Sequence, residues 1–342
     1  MGIQMARSGA ADRQTDPISP EPILQLASGF MAAKHLFAAN ELGVFEALAD
    51  SPSTIDGLAA RTGLTRRAAR ISADAMVALG LLERDGDTYR NGPAAAAFLS
   101  GGGPADLRPL LRCWDQISYP SWCELAEALA RGPSKEIFEI DQEQQEIVSK
   151  GIEAILAGPA AELPRVFDFS RHRRLLDIGG GTGSWSIAVV QRHPELAATV
   201  FELPAVAEVT RKRIEETGLE SRVHVRAGDA MARELPSGYD VFLVANLVHY
   251  WSPEQNRALL RHVRAAAEPG SNLLLADFWT DPTHTNPVQA ALMAGEFAVH
   301  LRNGDVYSVD ELRSWLEDTG WRFVEHAPLV GPQSVIVAEA AE

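Results

Sequence analysis

A short apolar stretch followed by closely spaced glycines and a helical segment constrains the fold of this chain most strongly. Residues 174–178 read Arg-Leu-Leu-Asp-Ile, residues 179–183 read Gly-Gly-Gly-Thr-Gly, and residues 184–190 have a helical pattern. A strand, a glycine loop and a helix in this order form the first unit of a doubly wound α/β sheet. Because glycine lets the backbone turn sharply and approach a ligand closely, we expect a ligand site at this loop.

The spacing of these glycines excludes two common phosphate-binding motifs. The dinucleotide pattern G-x-G-x-x-G would need glycine where the chain has Ser184 or Ser186, depending on the glycine from which it is counted. The P-loop pattern G-x-x-x-x-G-K-[ST] is also missing from the sequence. The pattern that fits is acidic-x-G-x-G-x-G, formed by Asp177, Gly179, Gly181 and Gly183.

Acidic residues follow the next predicted strands at positions where a nucleoside would need them. Glu202 ends the predicted strand 198–201 and lies 25 positions after Asp177. A carboxylate at that strand end can accept hydrogen bonds from both ribose hydroxyls. Asp229 follows the predicted strand 223–226, where it can accept from the exocyclic amine of adenine. With further strands predicted at 239–244 and 272–277, the second half is expected to bind a nucleoside cofactor.

The first hundred residues predict a helix–turn–helix followed by a hairpin. Helical periodicity begins at residue 22, and two shorter helices are predicted at 56–62 and 66–79, before a hairpin at 81–90. This order is typical of a winged helix, which serves either DNA recognition or dimerisation. Residues 1–100 contain nine Lys and Arg against eleven Asp and Glu, and the whole chain has a formal net charge of −15. DNA readers carry a basic face, so dimerisation is favoured and no nucleic-acid partner is expected.

Four segments are predicted along the chain, and none carries a membrane or targeting signal. Residues 1–20 are polar and small, so they are predicted to be a disordered leader rather than a signal peptide. No membrane partner is expected, and the two cysteines are most simply reduced thiols of a cytoplasmic protein. The other segments are a winged-helix dimerisation domain (21–100), a helical connector (101–165) and an α/β cofactor-binding domain (166–342).

Taken together, these motifs resemble the two-domain S-adenosylmethionine-dependent methyltransferases of small-molecule metabolism. The resemblance covers roughly residues 22–340. It implies a Rossmann-like catalytic domain, a homodimer and S-adenosyl-L-methionine as cofactor. It further implies that Gly179 and Gly181 pack against the methionine part, and that Glu202 holds the ribose. Asp229 and Ala230 would hold the adenine, and Asn246 would lie near the sulfonium. The segments that carry the resemblance are GFMAAKHLFAANELGVFEAL, LLDIGGGTGSWSIAV, VFELP, AGDA, VANLVHYWSPEQ and VYSVDELRSWLEDTGW.

His249 is the predicted catalytic residue, because the matching histidine is the general base of O-methyltransferases in this family. A phenol has a pKa near 10 and is mostly protonated at neutral pH, whereas an imidazole with a pKa near 6.5 can take its proton. The acceptor is expected to be a small organic molecule with a hydroxyl group. Asp277 and Asp305 are both candidates to orient the imidazole. The resemblance also places Met293, Phe297 and His300 at the acceptor pocket.

Two alternatives to O-methylation remain open at the level of sequence. His249 and His300 facing each other across the pocket would suit a metal ion, which would stabilise an enolate during C-methylation of an α-keto acid. The favoured interpretation is that His300 shapes the pocket or hydrogen-bonds an organic acceptor, since two scattered histidines are a weak metal signal. The second alternative is a winged-helix regulator that senses the cofactor and binds DNA.

Overall fold

The computed structural model describes residues 18–101, 105–232 and 234–342. Most of the predicted leader, residues 1–17, therefore lies outside the described residues. Within the part that is described, no helix combines the length and apolar character needed to cross a membrane.

The N-terminal region contains the predicted helix–turn–helix and hairpin. A long first helix precedes them, and a three-stranded antiparallel sheet has the order β1-β3-β2. Thr54 and Thr65 cap α2 and α3, since their side chains accept hydrogen bonds from Gly57 and Ala68. The elements are α1 (Glu21–Glu41), β1 (Ser53–Thr54), α2 (Ile55–Thr62), α3 (Arg66–Ala78), β2 (Leu82–Asp85), β3 (Thr88–Asn91) and α4 (Pro93–Phe98).

In its described part, the predicted connector consists of helices joined by short loops, with one irregular turn. Residues 108–122 form a continuous helix in which Trp114–Ser118 has π-helical hydrogen bonding. Single π turns inside α-helices are frequent at functional sites. The helices are α5 (Arg108–Cys113), α6 (Tyr119–Trp122), α7 (Leu125–Arg131) and α8 (Gln142–Val166). These helices pack over the C-terminal domain and do more than connect, because their side chains cover its ligand face.

A seven-stranded sheet with the order β6-β5-β4-β7-β8-β10-β9 forms the C-terminal domain. Strands β4 to β8 are parallel, while β10 pairs antiparallel with both β8 and β9. Strands β5 and β6 are added on one side of β4, whereas β7 and β8 are added on its other side. Where the strand order changes in this way, between β4 and β7, the strand carboxyl ends form a crevice for a ligand. The strands are β4 (Arg174–Ile178), β5 (Ala197–Glu202), β6 (Val223–Ala227), β7 (Val241–Ala245), β8 (Asn272–Asp277), β9 (Trp321–Pro328) and β10 (Ser334–Ala340).

Helices cover both faces of this sheet. All five residues of β7 are buried: Phe242 and Val244 pack into one core and Val241 and Leu243 into the other. Strands covered on both faces read as continuous apolar runs, which is why the parallel strands were predictable. The helices of this domain are α9 (Ser184–Arg192), α10 (Pro204–Thr217), α11 (Pro253–Ala266), α12 (Val288–His300) and α13 (Val309–Asp318).

Candidate active site

The glycine loop leaves β4 beside a buried carboxyl group. Asp177 is fully buried, and its Oδ2 accepts from the Ser186 hydroxyl at 2.7 Å. A Cβ at residue 180 would lie 2.5 Å from the Asp177 carboxyl carbon, so only Gly180 lets the loop pass. Gly179 and Gly181 have φ of +65° and +54°, a backbone conformation that favours glycine. Around Gly181 a Cβ would meet nothing within 4 Å, so the loop borders open space.

Glu202 ties this loop to the end of the neighbouring strand. Its Oε2 accepts from the Gly181 backbone N–H at 2.8 Å, and its Oε1 accepts from the Leu203 N–H at 2.7 Å. Because β5 lies between β4 and β6, Glu202 is also adjacent to the loop that carries Asp229 and Ala230. Each carboxylate oxygen has a further lone pair for a ligand hydroxyl. The residues predicted for the nucleoside therefore lie along one edge of the sheet.

These groups fit the nucleoside and sulfonium parts of S-adenosylmethionine. Asp177 Oδ1 and Asn246 Oδ1 are buried without a hydrogen-bond partner among the described residues. Asn246 also has a φ of +52°, which is uncommon for a residue other than glycine and is found at ligand sites. Acceptor oxygens suit a cationic ligand, and Glu202 suits the ribose. The open space beside Gly181 provides room for the chain that joins them.

Burial, together with the nearby Glu202 charge, raises the pKa of Asp177 to about 7 against the opposing Ser186 hydrogen bond. A carboxyl whose folded-state pKa lies above its ordinary value binds its proton more tightly in the folded protein. Its contribution to stability is complete at acidic pH, below the unfolded-state pKa. That contribution is lost as pH rises toward 7.

We therefore expect Asp177→Asn to become more stable relative to the wild type as pH rises from about 4 to 7. The asparagine cannot ionise, so it escapes the cost of burying a charge. Urea unfolding of the two ligand-free proteins at several pH values in this window measures the difference. A difference that is independent of pH contradicts the buried-acid interpretation.

A short turn after β7 positions His249 against the end of β8. Residues 248–250 form a 3-10 turn, and the buried Asn256 donates from Nδ2 to the backbone oxygens of Val248 and Trp251, each at 3.0 Å. Ser252 caps α11 directly after it. Adjacent parallel strands end at the same sheet edge, so His249 meets Asp277 from the next strand.

The hydrogen bond from His249 to Asp277 identifies Asp277, rather than Asp305, as the carboxylate that orients the imidazole. Nδ1 of His249 lies 2.8 Å from Asp277 Oδ1, which also accepts from the Phe278 N–H. A carboxylate only accepts, so Nδ1 carries the hydrogen and Nε2 presents a lone pair. The other candidate, Asp305, instead donates its backbone N–H to the His249 carbonyl. Phe297 stacks on the imidazole with ring centroids 4.0 Å apart and an interplanar angle of 6°, which fixes the ring plane.

His249 borders a cavity of about 160 Å³ between the sheet edge and the connector helices. A cavity of roughly 150 Å³ in another protein holds benzene, so this space accommodates at least one aromatic ring. Met293, Phe297 and His300, the residues predicted for the acceptor, all line it. Trp114 of the predicted connector lines the cavity too. The other connector residues in the wall are Leu110, Cys113, Ile117, Ser118, Ile137, Val148, Gly151, Ile152, Ile155 and Leu156.

Glu296 and His300 form a second His–carboxylate pair in the wall. Nε2 of His300 lies 3.2 Å from Glu296 Oε1, which also accepts from the Ser118 hydroxyl at 2.6 Å. Trp122 donates to the other oxygen. Burial alone would raise the pKa of Glu296, but the His300 hydrogen bond and charge, with Ser118 and Trp122, bring it below its ordinary value. Glu296 therefore stays ionised and joins α12 to the connector helices.

Tyr250 keeps its proton at the cavity wall. Burial raises its phenol pKa to about 12, and the negative charges of Asp277 and Glu202 contribute to the shift. Its ring lies 4.6 Å from that of His249, between centroids. A neutral phenol in this place can donate a hydrogen bond but does not act as a base.

The fold and the site together define a nucleoside-cofactor α/β enzyme with a separate cavity for a second substrate. A family model for the O-methyltransferase domain matches residues 127–322, and one for the O-methyltransferase dimerisation domain matches residues 24–101. The chain belongs to the O-methyltransferase family. It is an S-adenosylmethionine-dependent methyltransferase with a Rossmann-like catalytic domain, as the sequence predicted.

Individual relatives match over nearly the whole chain. The chain is 34% identical to the N,N-dimethyltransferase OxyT of Streptomyces rimosus, over 90% of this chain and 93% of that protein. It is 33% identical to the 3-hydroxy-5-methyl-1-naphthoate 3-O-methyltransferase of Streptomyces sahachiroi, over 96% and 97%. The crystal structure of the S-adenosylmethionine-dependent methyltransferase SibL, in its apo form, superposes with a TM-score of 0.81. It is 31% identical, over 95% of this chain and 100% of that one.

Neither alternative function is supported by these findings. In the part of the chain that the structure describes, no three His, Cys, Asp or Glu side chains are grouped as around a metal ion. His249 and His300 each bond to a carboxylate of their own. Against the DNA-binding regulator, Arg66 and Arg70 of α3 pair with Asp56 and Asp74. The comparisons point to an enzyme instead.

Proposed function

We propose that this enzyme methylates a hydroxyl group of a small, largely apolar aromatic acceptor, with His249 as general base. The observation that carries the proposal is the 2.8 Å hydrogen bond from Nδ1 of His249 to the buried Asp277, in the wall of the apolar cavity. It leaves Nε2 ready to accept a proton. Asp277 stabilises the imidazolium that then forms.

Different residues of the site bind the cofactor, bind the acceptor and transfer the proton. Bound S-adenosylmethionine supplies an electrophilic methyl group on its sulfonium. Gly179 and Gly181 border the methionine part, Glu202 accepts the ribose hydroxyls, and Asp229 with Ala230 faces the adenine. Asn246 directs its unpaired oxygen toward the positive charge.

The acceptor is held on the other side of the cavity. Met293, Phe297 and His300 contact it and align its oxygen with the methyl group. The apolar walls exclude water, which favours a step in which the sulfonium loses its positive charge. His249 takes the hydroxyl proton at Nε2 as the oxygen–methyl bond forms and the sulfur–methyl bond breaks, which leaves neutral S-adenosylhomocysteine.

A matched pair of acceptors tests whether the enzyme methylates oxygen or nitrogen. Among the relatives, OxyT is named an N,N-dimethyltransferase, so nitrogen is the competing acceptor. We would incubate the enzyme with S-adenosylmethionine and either 2-naphthol or 2-naphthylamine, and measure S-adenosylhomocysteine formed. The proposal requires turnover of the naphthol in excess of the amine. Preference for the amine would indicate that the enzyme methylates nitrogen rather than oxygen.

We also propose a cytoplasmic homodimer assembled through the N-terminal domain. The first helix leaves Ile23, Leu26 and Phe30 exposed by 71%, 84% and 52% of their surfaces, an apolar strip in water unless a partner covers it. The match to a dimerisation domain supports a second copy as that partner. Both cysteines are free thiols, which is consistent with a reducing compartment.

Charges placed on this strip should separate the dimer. We expect the wild type to sediment as a dimer at micromolar concentration and Leu26→Glu/Phe30→Glu to sediment as a monomer, because two carboxylates would be desolvated in the interface. Gln25→Glu adds a charge at an exposed polar position of the same helix and serves as control. A monomeric wild type, or a variant that remains dimeric, contradicts the assignment.

A further inference from the structure

Gln333 carries a buried carboxamide at the wall of the acceptor cavity. The residue is 2% exposed, and neither its Oε1 nor its Nε2 has a hydrogen-bond partner among the residues that the structure describes. It lines the same cavity as His249 and Phe278. Leaving a buried polar group unpaired costs about 1–3 kcal/mol, so such a group calls for an explanation.

The backbone holds Gln333 firmly in this place. Its carbonyl accepts from the Leu329 N–H at 3.0 Å, which closes the loop between β9 and β10. The next residue, Ser334, pairs with Asp277 across the sheet. On the other side, Val330 of the loop packs on Gly158 of α8, where an added Cβ would come within 3.2 Å of it. The carboxamide is therefore carried on a braced loop next to the Asp277 end of β8.

We infer that Gln333 binds a second polar group of the acceptor, beside the hydroxyl that is methylated. A carboxamide has two donor hydrogens and an acceptor oxygen, so it can pair with a carbonyl, a carboxamide or another hydroxyl. The rest of the wall is mostly apolar, and a few placed polar groups fix a ligand's orientation in such cavities. Gln333 thus selects aromatic acceptors that carry a hydrogen-bonding substituent. The inference rests on the proposed function, since it assigns the acceptor of the same site.

Direct binding provides a test that does not depend on turnover. The full-length enzyme is saturated with S-adenosylhomocysteine and titrated calorimetrically with 2-naphthol or 3-hydroxy-2-naphthamide, which shares the ring and hydroxyl but adds a carboxamide. We expect Gln333→Leu to weaken naphthamide binding roughly 5- to 100-fold, the loss that follows from leaving a polar partner unpaired. Binding of 2-naphthol should be unchanged or tighter. Gln191→Leu, the same substitution at an exposed position, should leave both affinities unchanged.

Thermal unfolding of the ligand-free proteins separates recognition from packing. Because the carboxamide has no hydrogen-bond partner to lose in the described parts of the chain, Gln333→Leu should melt at the wild-type temperature or above it. A drop of several degrees would assign Gln333 to the core and overturn the inference. An unchanged ratio of the two affinities, or no wild-type binding of the naphthamide, would also overturn it. Naphthamide binding through Gln333 without methyl transfer would instead count against the proposed hydroxyl chemistry.

Discussion

Replacement of His249 by alanine is expected to lower kcat about 10²- to 10⁴-fold, the usual contribution of a positioned general base. The affinity for S-adenosylhomocysteine should change little, because Glu202 and the glycine loop are separate from the imidazole. Rapid-quench measurement of methyl transfer to 2-naphthol gives the first quantity and calorimetry the second. His224→Ala, at an exposed histidine of β6, should retain full activity.

The pH dependence of the variant distinguishes a lost base from a damaged pocket. Without His249 the reaction relies on acceptor that is already ionised, and a phenol ionises with a pKa near 10. The rate of His249→Ala should therefore climb with pH toward that value and recover part of the loss. A flat profile, or a variant as active as the wild type at neutral pH, contradicts the assignment. An aromatic amine already presents a lone pair, so the same variant should methylate it with a smaller penalty.

Asp277→Asn examines the orienting hydrogen bond without emptying the site. The amide preserves the volume but removes the negative charge that stabilises the imidazolium, and its nitrogen can face Nδ1 and reverse the tautomer. We expect a lower kcat with an unchanged KM for S-adenosylmethionine. Restoration of the rate at high pH should parallel that of His249→Ala, since both variants lack an effective base.

Replacement of Glu202 by glutamine is expected to weaken S-adenosylhomocysteine binding roughly 10- to 100-fold. Hydrogen bonds to a charged group contribute about 1.5–3 kcal/mol each, and the amide keeps only one accepting oxygen for the ribose and the loop. Because Glu202 also accepts from the Gly181 N–H, the substitution additionally loosens the glycine loop. At saturating cofactor kcat should be close to that of the wild type, since the proposed role of Glu202 is to hold the ribose and not the transferred group.

Isothermal titration with S-adenosylhomocysteine measures this loss directly. Glu208→Gln is the matched control, because Glu208 lies on the following helix α10 and pairs at the surface with Arg211. A 2′,3′-dideoxyribose analogue should lose less affinity from this substitution than S-adenosylhomocysteine does, because only the loosened glycine loop affects its binding. Equal affinity of both proteins for S-adenosylhomocysteine itself would contradict the proposal that Glu202 holds the ribose.

The clustering of the candidate cofactor residues could be predicted from sequence because each lies at or just after the carboxyl end of a parallel strand. Leu175, Leu176 and Ile178 form an apolar run that ends at glycines, and Glu202 ends the next run. Positions at the ends of consecutive parallel strands converge whatever the details of packing. The choice between Asp277 and Asp305 stayed open because it depends on β7 pairing with β8, which the local sequence does not encode.

Strands β9 and β10 were not predicted, and neither was the part of the cavity wall that the connector helices form. Strand β9 is largely exposed and lacks a clear alternation, so its pattern differs from the buried parallel strands. The π turn at 114–118 has no sequence signature, although it carries Trp114 and Ser118 to the cavity. Gln333 gave no signal either, since a glutamine after Gly-Pro is ordinary in a loop. Its significance arises only from burial, which long-range packing determines.

The position of the transferred methyl group tests the central claim most directly. The enzyme is incubated with S-adenosylmethionine labelled with ¹³C in its methyl group and an acceptor that bears both a hydroxyl and an amino group on one naphthalene ring. The product is then analysed by carbon NMR. Our account predicts a labelled methoxy carbon in the wild-type product and its loss at neutral pH in His249→Ala. A labelled N-methyl carbon, formed equally well by both proteins, would contradict it.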